Sequence, residues 1–185
     1  VHGRAGLHAH ALQMEELAAH TIEEVRRLSA ELRPAILDDQ GLLAAIRWQV
    51  GDFESRSGLR CALALPDAEI PWDAEHRTVV FRVLQESLTN VARHACAHKV
   101  SVALWREHEG DALLEVSDDG DGIDAGLGAR PGALGLVGMR ERAQLCGGSL
   151  TVTGVAGGGT TVLLRLPCQP NEPQDEGRHR VGDDA

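Results

Sequence analysis

The sequence predicts an α+β fold in which helices cover one face of a mixed sheet, and three observations carry that expectation. Segments of helical and strand periodicity follow one another in the compact part as helix, strand, helix, strand, strand, helix, strand, strand. Two strand pairs, KVSVALW with ALLEVSD and SLTVTGV with TTVLLRL, are linked by the polar turn REHEGD and by Ala156-Gly157-Gly158-Gly159. A chain of 185 residues, 43% hydrophobic and 25% charged, can also build one sizeable core with an appendage.

Taken in order, the first element is a helix from about Leu12 to Leu32. Met14, Ala18, Thr21, Val25, Leu28 and Leu32 recur there at steps of four and three, a heptad seam that suits contact with other helices. A helix packed on its own domain is the competing reading. Pro34 stops or kinks it, because proline lacks the amide donor and disfavours helix at the residue before it. A second helix is expected over Gly41 to Arg56, then a strand over 59–65 and a break from Pro66 to Pro71. The longest helical stretch runs from 73 to 96, with Asp73 as its N-cap and His76 where a capping box would place Glu. Strands follow at 99–105 and 112–118, then a glycine-rich loop from 120 to 135 and a helix over Leu136 to Leu145. The last hairpin closes at Pro167, and the tail beyond it lacks periodicity and is expected to be disordered.

The formal charge of -10 and pI near 5.3 argue against nucleic acid as a partner, since no Lys/Arg run offsets the repulsion of a phosphate backbone. Apolar runs fall far short of the ~20 residues that span a bilayer. A soluble chain is the expectation, and its start at Val1 suggests a piece of something longer. Cys61, Cys96, Cys146 and Cys168 lack CxxC spacing and read as ordinary buried thiols rather than zinc ligands.

Three patches carry chemistry. In VSDDGDGID (116–124) the acids do not follow the oxygen-ligand register of a calcium loop. A strand that delivers Asp118 into a pocket, with Gly120 and Gly122 allowing close backbone approach, stands there beside a plain turn. On the 73–96 helix, Val80, Phe81, Leu84, Leu88, Val91, Ala92 and Ala95 share a broad face, and Glu86, Asn90, Arg93 and His94 share a stripe on the other side. Val79 and Val83 begin that stripe, so it reads as the lining of a cleft, although a solvated face competes. In RPGALGLVGMRERA (130–143), Gly132, Gly135 and Gly138 precede or open a helix whose N-terminal amides would favour an anion, phosphate above all. Neither GxxxxGK[ST] nor a dinucleotide fingerprint is present.

Together these patches resemble the ATP-binding, catalytic domain of sensor histidine kinases. The likeness is strongest to the nitrate-sensor and desaturase-sensor subclass of the gyrase, chaperone, histidine kinase and mismatch-repair ATPase superfamily. LQESLTNVARHACA is similar to the N-box, VSDDGDGID to the first glycine box, GLVGMRERAQLCGGSL to the second and GGGTTVLLRLP to the third. LSAELRPAILDDQGLLAAI resembles the junction between dimerisation helices and ATP domain. The resemblance implies a Bergerat-type fold over 35–167, a partial dimerisation helix within 1–34 and the disordered tail at 168–185. It also implies ATP and Mg²⁺ as cofactors. Asp118 would accept from the adenine amino group, Gly120 and Gly122 would make room for the base, and Asn90 would ligate Mg²⁺ with Glu86 near the ion or orienting the nucleophile. Arg93 and His94 would face phosphates or ribose, while Gly135, Leu136 and Gly138 would cradle the phosphates and Thr160 would donate a hydroxyl. Residues 123–134 would form a short lid.

Implied partners are a response regulator and a second kinase subunit, in a cytoplasmic protein or the cytoplasmic part of a membrane-bound sensor. The phosphoacceptor histidine of such kinases usually precedes an acid. Of nine histidines only His108 does, in the REHEGD turn, so the acceptor helix is expected to be absent from this chain. The rival readings are a serine kinase of the anti-sigma-factor type, disfavoured by the junction at 28–46, and an ATP-binding or dimerisation module that transfers nothing.

Overall fold

The computed structural model describes residues 35–107, 110–122 and 133–168. The expected helix at 12–32, the tail after Cys168, His108 and most of the 123–134 stretch lie outside these. A short helix α1 (Ala35–Asp39) leads into α2 (Leu42–Ser57), whose Leu42, Leu43, Ala45, Ile46, Val50 and Phe53 are buried. Gly41 offers no side-chain cap and has φ of 86°. The Glu69 carboxylate substitutes for one, accepting from Leu43 N at 2.9 Å. A Cβ at Gly41 would strike that carboxylate, which explains glycine there. The helix ends at Gly58 in the left-handed conformation, its N–H returning to Glu54 O.

Strand β1 (Arg60–Ala64) is short and largely exposed, in keeping with its place at the sheet edge. Helix α3 (Ala74–Asn90) begins at Asp73, whose Oδ1 accepts both His76 N and His76 Nδ1 at 2.8 Å. Its last turn does not continue as α-helix: Val91–Ala95 form one π-helical turn that stops at Cys96, with φ of 51°. Strands β2 (Lys99–Arg106) and β3 (Asp111–Asp118), helix α4 (Ala133–Leu145) and strands β4 (Ser149–Gly154) and β5 (Thr160–Pro167) complete the order.

The five strands form one sheet in the order β1-β2-β3-β5-β4, parallel between β1 and β2 and antiparallel elsewhere. This is the α+β arrangement the sequence predicts. One face carries Val100, Val102, Leu104, Ala112, Leu114, Val116, Val162, Leu164 and Leu166, alternate residues of three adjacent strands and all buried in the common core. Helices α2, α3 and α4 contribute Leu42, Ile46, Phe81, Leu84, Leu88, Met139 and Ala143 from the other side. Trp72 ties the entry to α3 to the far end of the sheet through Nε1 and Pro167 O, 2.7 Å apart. On the outer face Arg165 bridges Glu107 at 2.8 Å and Asp111 at 3.2 Å.

The helical-wheel expectation for α3 needs two corrections. Val79 and Val83 are buried among the helices and are not part of the Glu86–Asn90 end of the stripe, because α2 and α4 pack against α3 in addition to the sheet. Ala92 is exposed, because the π turn changes the angular phase of everything after Asn90. The cysteines are unpaired; Cys146 and Cys168 are buried, Cys61 is half-buried and Cys96 is exposed. Cys168 donates its N–H to Gly110 O at 2.7 Å, so the first residue after β5 still packs on the sheet.

Candidate nucleotide-binding site

Strand β3 carries Asp118 to its end on the same face as Ala112, Leu114 and Val116, where the helices lie. Thr160 stands on that face of the neighbouring β5, in line with Val162 and Leu164. The half-buried Asp118 carboxylate accepts Gly120 N at 2.9 Å through Oδ1, and among the described residues no donor reaches its second oxygen. One oxygen thus fixes the side chain, and the other has no donor among the described residues.

The turn after Asp118 is held on three sides. Asp119 Oδ1 accepts His98 N at 2.7 Å and Lys99 N at 2.8 Å. Those amides, Lys99 first and His98 second, hold the Asp119 carboxyl below the usual carboxylate range. Asp121 N donates to Ala95 O at 2.7 Å, the last carbonyl of the π turn. From the β4–β5 hairpin, Gly159 N reaches Gly120 O at 2.9 Å and Gly157 N reaches Asp121 O at 2.7 Å. These contacts explain the glycines: a Cβ on Gly120 would collide with the Ala95 carbonyl, on Gly122 with Val155 O, and on Gly159 with Asp118 O. What crowds Gly120 and Gly122 is protein backbone.

Glu86 and Asn90 lie half-buried one turn apart at the end of α3, while Arg93 and His94 are exposed on the π turn. Gly135 lies against the Glu86 carboxylate, which a Cβ there would strike, so the first turn of α4 sits directly on the last turns of α3. Gly135 and Leu136 fall within the first four residues of α4, whose amides lack helical acceptors. Gly138 falls beyond them, beside the Arg142 guanidinium at 3.3 Å from where a Cβ would be. Leu136 leans on the core. The structure thus brings Gly135 against Glu86 and Gly120 against the Ala95 carbonyl, so the end of α3 with its π turn adjoins both the start of α4 and the acidic turn. A separate hollow of about 440 Å³, lined by Ala74, Glu75, Thr78, Val79, Arg142 and Leu145, contains none of them.

Asn90 offers a carboxamide oxygen with no partner among the described residues, and Glu86 a carboxylate one turn away. That donor set fits Mg²⁺, a hard ion usually held by one or two protein oxygens with water and phosphate completing its shell.

Residues 75–170 match the family described as histidine kinase-, DNA gyrase B- and HSP90-like ATPase. The chain belongs to this family. It is similar to the sensor histidine kinase MctS of Rhizobium johnstonii, 40% identical over 155 residues that cover 82% of this chain and 33% of that protein. The oxygen sensor histidine kinase NreB of Staphylococcus carnosus is 38% identical over 155 residues, covering 84% and 44%. The chain thus spans less than half the length of these relatives. Among solved structures, the Acinetobacter baumannii histidine kinase AdeS superposes with a TM-score of 0.58 at 18% identity, covering 90% of this chain and 85% of that one. The histidine kinase domain from Erythrobacter litoralis EL346 gives 0.57 at 20% identity, covering 67% and 61%. These structures share the fold.

The acidic turn of this ATPase-family domain is also shaped by residues that the sequence reading passed over. Asp119, the Ala95 carbonyl and Gly159 define the acidic turn as much as Asp118 does. The doubled Asp118-Asp119 was a visible signal, since adjacent strand-end acids must face different ways. The backbone carbonyl left no mark in the sequence.

Proposed function

We propose that this domain binds MgATP between α3, the acidic turn and α4, and donates the γ-phosphoryl group to a histidine supplied from outside the described residues. The observation that carries the reading is Asp118: half-buried, fixed through one oxygen by Gly120 N, with the other oxygen available to a donor such as the adenine amino group. Thr160 would hydrogen-bond near the same ligand, and Gly135 and Leu136 would present helix-start amides to phosphate oxygens. Asn90, with Glu86 beside it, would hold Mg²⁺, which when bound offsets phosphate charge. Arg93 and His94 would meet the phosphate or ribose side from the π turn, while Gly138 admits close packing. Catalysis is then mostly positioning: the Pγ–O bond to ADP breaks as the N–P bond forms, and the displaced imidazole proton leaves to a neighbouring base.

In this reading residues 35–167 are the catalytic unit and 1–34 part of a dimerisation segment. In the whole protein, two cytoplasmic subunits would pair, and the phosphoryl group would pass on to an aspartate of a response regulator. The family match and the sensor-kinase relatives support it. Among the described residues no helix is long and apolar enough to cross a membrane.

Calorimetric titration of ATP with and without Mg²⁺ tests the site. Asp118→Asn keeps an oxygen for Gly120 N but turns a pure acceptor into a mixed group, and should weaken ATP by tenfold or more, a loss of ~1.4 kcal/mol. Unchanged affinity in a folded Asp118→Asn variant would remove adenine recognition from this turn. Phosphorylation of a separately supplied acceptor helix tests transfer.

A further inference from the structure

Asp118 and Asp119 are neighbours with opposite circumstances. Asp118 keeps an oxygen for a ligand, whereas Asp119 is exposed and directs Oδ1 at two consecutive amides, His98 N at 2.7 Å and Lys99 N at 2.8 Å. His98 lies between the π turn and β2 and Lys99 opens β2, so the bond ties the acidic turn to the connection after α3 as well as to the sheet. Asp119 N also donates to Lys99 O, at 3.3 Å. On the far side, Gly157 and Gly159 of the hairpin bind the next two residues of the turn. On the β5 side the ladder stops at Ser117↔Thr161, so at Asp118 only the β2 partner Val100 continues it. Asp119 itself is exposed and is no member of the hydrophobic core.

We propose that Asp119 is a positioning residue for base recognition: its carboxylate bridges the His98 and Lys99 amides and so sets the angle at which Asp118 presents its second oxygen to the base. This rests on the reading of Asp118 given above. A single rigid acceptor discriminates an amino-bearing purine from a keto-bearing one only while its direction is fixed, because a rotating carboxylate can be replaced by water. Asp119 thus acts on selectivity more than on the total binding of the triphosphate, whose phosphates are met at α4 and Asn90. A bare structural role makes a different forecast: a looser fold, with the ratio between bases unchanged among folded molecules.

The test compares ATP with GTP. Equilibrium binding of each to the wild-type chain, Asp119→Ala, Asp119→Asn and Asp118→Asn is measured under one set of conditions, with thermal melting as a check on folding. Asp119→Ala should lower the ATP-over-GTP affinity ratio about tenfold, the scale of one well-directed hydrogen bond. Asp119→Asn, whose amide oxygen can still accept both N–H groups, should restore most of the ratio. A ratio unchanged in Asp119→Ala, or an Asn variant as poor as Ala, overturns the proposal. Asp118→Asn separates the two levels. If it leaves the ratio intact, base recognition at Asp118 is itself wrong; if it collapses the ratio while Asp119→Ala does not, only the role of Asp119 fails. Should Asp119→Ala not fold, amide exchange in the wild type with ADP bound decides. Protected His98 and Lys99 amides support the bridge, and exchange at the rate of an open loop overturns it.

Discussion

The two ends of α3 are built for different ends. Toward its start, Asp73 caps the helix, and Val79, Val80, Phe81, Val83 and Leu84 are buried nearly all the way round. Toward its finish, Glu86 and Asn90 are only half-buried, the hydrogen-bond register loosens into a π turn, and Arg93 and His94 reach solvent. Burial and the proposed ligand chemistry are thus separated along the helix rather than around it. A wheel projection, which sees only angle, places Val79 and Val83 on the same stripe as Asn90. Depth along the axis decides that the first two belong to the core and leaves the last half-exposed at the candidate site.

Breaking the buried half should have the largest effect. Phe81 is fully buried, and Phe81→Ala is expected to cost about 3–5 kcal/mol in urea unfolding, through lost transfer energy and an unfilled cavity. The same measurement on Asn90→Ala should show a change within ~0.5 kcal/mol, since this side chain has no partner among the described residues. Calorimetry with MgATP should reverse the ranking, with Asn90→Ala failing to bind tightly while still fully folded. If Asn90→Ala instead unfolds like Phe81→Ala, the division along the helix is wrong.

A smaller effect is expected where the β4–β5 hairpin meets the acidic turn. Gly159 has φ of 81° and leaves no room for a Cβ beside Asp118 O. Gly159→Ala should therefore destabilise by roughly 1–3 kcal/mol and also weaken ATP, because the displaced carbonyl belongs to Asp118, the residue proposed to meet the base. Gly157 also has positive φ, 71°, but open space around it. Gly157→Ala should cost only the backbone strain, so the pair isolates steric crowding from conformation.

These contrasts also mark what could be read from the chain. Alternation in KVSVALW, ALLEVSD and TTVLLRL placed three adjacent strands to within a residue of their observed limits, because one face of each is fully buried and the period is unambiguous. Asp73 was legible as a cap because the amide it accepts from, His76 N, lies three residues away. Glu69 was not legible as the cap of α2: it acts across 26 residues, and no local pattern encodes that. The π turn was hidden as well, since VARHA contains neither glycine nor proline and its composition suits an ordinary helix end. At Gly120 and Gly122 the residue type was informative but its cause was not, because the crowding atoms are carbonyls of Ala95 and Val155, remote in sequence and carrying no side-chain signature. Glycine boxes announce close approach without saying what approaches.

The smallest effects concern the capped start of α3. Asp73→Ala should cost ~1 kcal/mol, the usual worth of an N-cap, with nucleotide affinity preserved because the site lies at the other end. Acid should act at the same place. The His76 amide, followed by the His76 ring, holds the Asp73 carboxyl below its ordinary value, so the folded state has the lower pKa. A depressed carboxylate contributes stability that is complete above the unfolded value, near pH ~3.9, and that is lost as pH falls through the folded value. Asp119 has the same sign through Lys99 and His98. Neither group should impose a slope between about pH 5 and 7. Below that, Asp73→Asn, which keeps an oxygen for the cap but does not titrate, should lose less of its urea midpoint between pH 5 and 3 than the wild type does. Equal losses in the two proteins would mean that the charge on Asp73 adds nothing to the cap, leaving its oxygen alone to start the helix.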